Sequence, residues 1–87
     1  MKQNTYRVLL NKEPEGGYTA QVPTLPGCVT YGESLDEAIE NVKEAIELYI
    51  QSLRSHNEPV PTEENTLEYS VSVLAWQTFT LILQKKS

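Results

Sequence analysis

Basic side chains are scarce in this chain: 7 Lys and Arg stand against 12 Asp and Glu among 87 residues, a formal net charge of -5. That balance argues against a nucleic-acid binder, which depends on a basic footprint. There is one cysteine, Cys28, so no intrachain disulfide forms and metal sites built from paired cysteines are excluded. There is one histidine, His56. No apolar run approaches the roughly 20 residues of a membrane span. The opening MKQNTYRV has no apolar segment of the kind a signal peptide carries, so a cytoplasmic protein is expected. Internal repeats and low-complexity stretches are also missing. What remains, 39% hydrophobic and 22% charged, has the composition of one small globular domain with a single core.

Three short strand-like runs come first. Tyr6, Val8 and Leu10 alternate with polar or oppositely directed neighbours, and Tyr18, Ala20 and Val22 alternate with Thr19 and Gln21. Between them Glu13-Pro-Glu-Gly-Gly17 supplies turn residues, which predicts a hairpin. Pro23 and Pro26 then remove ladder donors, and a third run, Cys28 to Tyr31, ends at Gly32.

A helix is predicted from Ser34 onward. Ser34 with Glu37 three residues later forms a capping box. Behind it Leu35, Ala38, Ile39, Val42, Ala45, Ile46, Tyr49, Ile50 and Leu53 recur at steps of three and four, so Ile39, Val42 and Ile46 are expected in the core beside Leu25. The pattern ends near Asn57 and Pro59. After a loop, Leu67, Tyr69, Val71 and Val73 alternate with Glu68, Ser70 and Ser72, a fourth strand expected to lie parallel to the first by a right-handed crossover. The fold class is α+β, with the order β-β-β-α-β and one helix on a small mixed sheet. Residues 1–73 form the domain, and 74–87 an extension read as a strand or an arm.

The stretch Gly27-Cys-Val-Thr-Tyr-Gly-Glu-Ser34 has the glycine frame of a phosphate-binding loop, but Glu33 stands where that pattern needs Lys. A carboxylate there repels phosphate, and Asp36 and Glu37 already complement the helix dipole. A catalytic Cys28 is disfavoured as well, because surrounding carboxylates raise a thiol pKa and His56 lies at the far end of a helix about 30 Å long. The interiors of the first three runs hold no acid, so a two-metal nuclease site has no ligands to draw on. No catalytic residue, metal or cofactor is expected. Cys28 reads as a small buried apolar residue, and His56 as a residue favourable to the helix C-terminus.

The motifs Gly16-Gly17-Tyr18, Val22-Pro23, Leu25-Pro26-Gly27-Cys28 and Gly32-Glu-Ser34-Leu-Asp-Glu37-Ala38, in this order and spacing, resemble the HicB family of antitoxins. The resemblance runs from Pro14 to Pro61 and extends more loosely to Val73. It implies a partial ribonuclease H-like fold without the catalytic acids. It implies as partner a HicA-type toxin, a small basic protein that cleaves mRNA with a catalytic histidine. Many family members add a C-terminal DNA-binding domain. The roughly fourteen residues after Val73 are too few for one, so no direct DNA binding is expected.

Charge points to a contact face. Glu33, Asp36, Glu37, Glu40, Glu44 and Glu47 are opposed between positions 33 and 47 by Lys43 alone, which suits a basic partner. An acidic helix face is also often no more than a solvated surface. The antitoxin reading therefore stands beside two others: a solitary oligomeric module of this fold with a different partner, and an enzyme or nucleic-acid binder. Late in the chain Tyr69, Val71, Val73, Trp76, Phe79, Leu81, Ile82 and Leu83 add more apolar surface than a small core absorbs. A homodimer or homotetramer assembled through this region is expected.

Overall fold

The computed structural model describes residues 4–74, with the elements β1 (Leu9–Lys12), β2 (Tyr18–Gln21), β3 (Val29–Gly32) and α1 (Leu35–Ser55). Gly16 and Gly17 take φ of 106° and 81°, in the region that favours residues without a Cβ, and this closes the first hairpin. The Glu13 amide donates to the Gly17 carbonyl at 3.0 Å. Beyond the turn, β1 and β2 pair antiparallel with Leu10 opposite Ala20. β2 pairs antiparallel with β3, placing Ala20 opposite Thr30 and Tyr18 opposite Gly32. The described sheet has the order β1-β2-β3 and is wholly antiparallel, where a mixed sheet was expected.

The prolines that interrupt the β2 ladder build a tight loop in its place. The Val22 amide donates to the Cys28 carbonyl, the Leu25 amide to the Val22 carbonyl, and the Cys28 amide to the Leu25 carbonyl, at 2.9–3.0 Å. Gly27 takes φ of 84° to complete the turn. This geometry drops Leu25 into the interior, where its exposure is 0%, between buried Val22 and Cys28. Ala20 and Val42 complete the core, and Tyr6, Val8, Ala45, Ile46 and Tyr49 pack around it. From the helix, the Tyr49 hydroxyl donates to the Pro26 carbonyl at 2.8 Å and ties the loop down.

Helix α1 starts where the cap predicts. Ser34 is extended, with φ -126° and ψ 166°, and its Oγ accepts from the Glu37 amide at 3.1 Å. It ends in a left-handed Asn57, φ 56°, with the Glu58 amide donating to the Leu53 carbonyl at 2.9 Å. Strand β3 and the helix start approach so closely that a Cβ on Gly32 would lie 2.3 Å from the Ala38 amide nitrogen. Gly32 is therefore required by proximity to the helix, not by an unusual backbone angle.

Three expectations are corrected. Ile39 is 43% exposed and Ile46 only half-buried, because the apolar stripe is wider than the part of the sheet that meets it. β1 begins at Leu9, not at Tyr6; Tyr6 and Val8 still reach the core, whereas Leu10 is partly exposed. Residues 67–73 pair with no strand among the described residues, and Leu67, Tyr69, Val71 and Val73 are exposed by 94%, 87%, 75% and 76%. Their alternation is that of a strand, but a strand forms only against a neighbouring edge. Trp76, Phe79, Leu81, Ile82 and Leu83 lie outside the described residues.

The loop after α1 is fastened to the start of the chain. The Tyr6 hydroxyl donates to the Pro61 carbonyl at 2.5 Å. Glu63 accepts from the Arg7 amide at 2.8 Å and from the Thr24 hydroxyl at 2.5 Å. The pairing that sets Leu9 opposite Gln21 would next set Arg7 opposite Pro23, and the Glu63 carboxylate takes the Arg7 proton there instead. These bonds, with Thr24 first, hold the Glu63 carboxyl below its ordinary pKa.

The packing can be tested at Leu25 and at Glu63. Leu25→Ala is expected to cost about 2–4 kcal/mol and Ile39→Ala less than about 1 kcal/mol, since only the first empties a closed site; equal shifts in urea midpoint would refute the assignment. For Glu63 the lowered pKa means that its contribution is fully present above the unfolded carboxyl value near pH ~4.3 and is lost as pH falls through the folded value. The stability gap between the parent and Glu63→Gln should therefore narrow on acidification below pH ~5, when both are followed by chemical denaturation. A gap independent of pH would show that the clasp does not act through its charge.

Candidate functional site

The carboxylates of α1 are gathered by helical spacing. Steps of four, four and three separate Asp36, Glu40, Glu44 and Glu47, which places them along one face, with Glu37 beside them. Glu33 joins them just ahead of the Ser34 cap. All six are exposed, and buried Ala38 and Val42 lie on the opposite side of the helix. Lys43 is the one cation interleaved with them.

The acidic surface continues past the helix. Tyr31 on β3 extends over the hairpin turn, and its hydroxyl donates to the Gly16 carbonyl at 3.1 Å. A Cβ on Gly17 would collide with the same ring, at 2.0 Å from its oxygen. Partial burial first, and then the charges of Glu33, Glu37 and Glu13, push the Tyr31 phenol above its ordinary pKa. Glu13 thus belongs to the same electrostatic neighbourhood as the helix start. Sequence reasoning left it in the hairpin loop, and the signal that would have found it was the strand register, which brings the turn beside Tyr31.

Chemistry of other kinds finds no support in these positions. Residues Val29–Gly32, inside the glycine frame that resembled a phosphate loop, are strand β3, which takes the amides of Thr30 and Gly32 into the ladder with β2 and leaves no looped cradle. Cys28 is buried, and burial pushes its thiol up, away from the reactive thiolate. The His56 Nδ1 lies 2.8 Å from the Ser52 carbonyl, and residue 56 caps the helix C-terminus. Among the described residues no three His, Cys, Asp or Glu side chains converge as metal ligands. No helix among them is long and apolar enough to cross a membrane.

A tight proline-interrupted loop, a capped helix docked on a glycine and an acidic helix face form one assembly, and its sequence matches a known family. The family described as the HicB-like antitoxin of the bacterial toxin–antitoxin system matches residues 6–85. The chain belongs to this family. A UPF0150 protein of Synechocystis is 54% identical over 59 residues, covering 68% of this chain and 75% of its own. One from Thermoplasma acidophilum is 47% identical over 66 residues, covering 76% of this chain and 94% of its own. The antitoxin HicB of Escherichia coli K12 is 33% identical over 70 residues, which are 78% of this chain and 51% of that protein.

Membership gives this HicB-like protein an antitoxin role in general terms, with a protein toxin as the kind of partner. The fold gives each motif of the sequence a place. Gly16, Gly17 and Tyr18 make the hairpin turn, and Pro23, Leu25, Pro26, Gly27 and Cys28 make the core-filling loop. Gly32, Ser34, Glu37 and Ala38 make the strand-to-helix junction. The Cys28 thiol should accordingly react with a thiol reagent at native pH only as fast as the protein opens. Addition of denaturant should accelerate labelling by at least about a hundredfold. Immediate stoichiometric labelling of the folded protein would contradict its burial.

Proposed function

We propose that this HicB-like protein neutralises a HicA-type toxin, a small basic RNA-cleaving protein, by covering its active surface, and that it performs no catalysis itself. The observation that carries the reading is the exposed carboxylate face of α1, with six acidic residues between positions 33 and 47 against Lys43. A surface that binds RNA must be positively charged. A fixed array of carboxylates on a rigid helix is complementary to such a surface, raises the rate of encounter and competes with the RNA for it. Membership in the antitoxin family supports the same role.

In this reading Glu33, Asp36, Glu37, Glu40, Glu44 and Glu47 contribute orientation and speed more than holding strength. They are exposed, and exposed charge pairs are individually weak. The test uses a purified HicA-type toxin. Its association rate, followed by stopped-flow fluorescence, should fall about tenfold or more between low and high salt. Replacing Glu40, Glu44 and Glu47 together by Gln should slow association about tenfold at low salt while leaving the circular dichroism of the fold unchanged. A triple variant that associates and inhibits RNA cleavage as fast as the parent would mean that this face is only solvated.

A further inference from the structure

Among the described residues the sheet ends on one side at β3, and no strand lies along its outer edge. The ladder with β2 alternates by two. The Val22 amide donates to the Cys28 carbonyl, so Thr30 and Gly32 also bond toward β2. The amides and carbonyls of Val29 and Tyr31 therefore point away from the sheet. Among the described residues a single bond reaches them, from the Asn41 side-chain amide to the Tyr31 carbonyl at 2.8 Å. An edge of this kind is a template for one more strand.

Asn41 also shows which side of α1 runs along this edge. Glu37, Asn41, Glu44 and Leu48 follow one another at steps of four, three and four, so they share the side of the helix from which Asn41 reaches out. Leu48 is 57% exposed there. Gly32 faces the helix, so by the alternation of a strand Val29 and Tyr31 project from the other face of the sheet. Their exposures are 52% and 47%. Apolar surface thus flanks the edge on both faces, and the carboxylates of Glu33, Glu37 and Glu44 border it.

Charge decides what this edge accepts. Two copies pairing at β3 would bring Glu33, Glu37 and Glu44 of each into one strip, and like charges across a strand pair are destabilising. The chain as a whole, at a net charge of -5, adds to that repulsion. A strand from a basic protein meets the same carboxylates as counter-ions. We infer that the toxin joins the sheet: an extended segment of it pairs with β3 at Val29 and Tyr31, with basic side chains toward Glu37 and Glu44 and an apolar one against Leu48. This mode of docking rests on the toxin reading and adds to it the contact that holds. Exposed carboxylates steer an encounter but bind weakly, whereas backbone bonds along an edge and a covered leucine resist dissociation.

The test follows backbone amide exchange of the isotope-labelled full chain by NMR, alone and with a purified HicA-type toxin. In the free protein the Val29 and Tyr31 amides should exchange as open amides do, while the ladder protects Thr30 and Gly32. Saturating toxin should slow exchange at Val29 and Tyr31 by at least about a hundredfold. The Leu48→Ala variant, with unchanged circular dichroism, should associate with the toxin as fast as the parent and release it about tenfold faster. That is the reverse of the pattern expected for the Glu40, Glu44 and Glu47 substitutions. Toxin that binds and leaves both amides exchanging freely would overturn strand addition while the acidic-face reading stands. An unchanged release rate for Leu48→Ala would count against it in the same way. Toxin that fails to bind at all would remove both. Strong protection of Val29 and Tyr31 already in the free chain would show the edge to be occupied without the toxin, and would overturn the docking mode as well.

Discussion

Strand β3 and the first turn of α1 touch backbone to backbone at Gly32 and Ala38, with no room for a single Cβ between them. The distance between sheet and helix follows from that contact, and with it the depth available to Leu25, Val22 and Val42. A small domain cannot tolerate a loosely docked helix, because its few buried side chains must all be in contact. Ser34 and Glu37 act on the same point: the cap fixes where the helix begins, and so brings Ala38 and no other residue against the glycine. The Asn41 side-chain amide then donates to the Tyr31 carbonyl at 2.8 Å and holds the outer strand against the helix.

Elements whose determinants are local could be read from the sequence. The hairpin rests on two adjacent glycines, the helix start on a four-residue box and the helix body on a repeated apolar spacing. The burial of Leu25 and Cys28 was legible through the motif they share with a family. What was not legible depends on how wide the sheet is. Apolar spacing marks which side of a helix faces inward, but Ile39 lies at the border of that side, and the three described strands do not cover it. For the same reason the alternation in residues 67–73 shows the chemistry of a strand while saying nothing of which chain supplies its neighbour. Glu63 was invisible as a structural residue, because a carboxylate in a loop has the same appearance whether it clasps two distant segments or faces water.

The acidic face could be read from helical spacing alone, but its extent could not. Only the strand register brings Glu13 beside Tyr31 and continues the negative field around the helix start. Surfaces assembled from neighbours in sequence declare themselves early, whereas surfaces assembled across a sheet wait for the pairing.

Glu63 has a consequence for the order in which the molecule comes together. The hairpins, the core-filling loop and the helix all form between residues near one another along the chain. The clasp instead joins Glu63 to Arg7 and Thr24 across separations of 56 and 39 residues, and Tyr6 to Pro61 across 55. Closing so long a loop is entropically costly, and the cost is offset only once both ends are already ordered. The body therefore assembles rapidly from local pieces and the clasp engages late. Until it does, the loop of residues 58–66 is not held to the sheet.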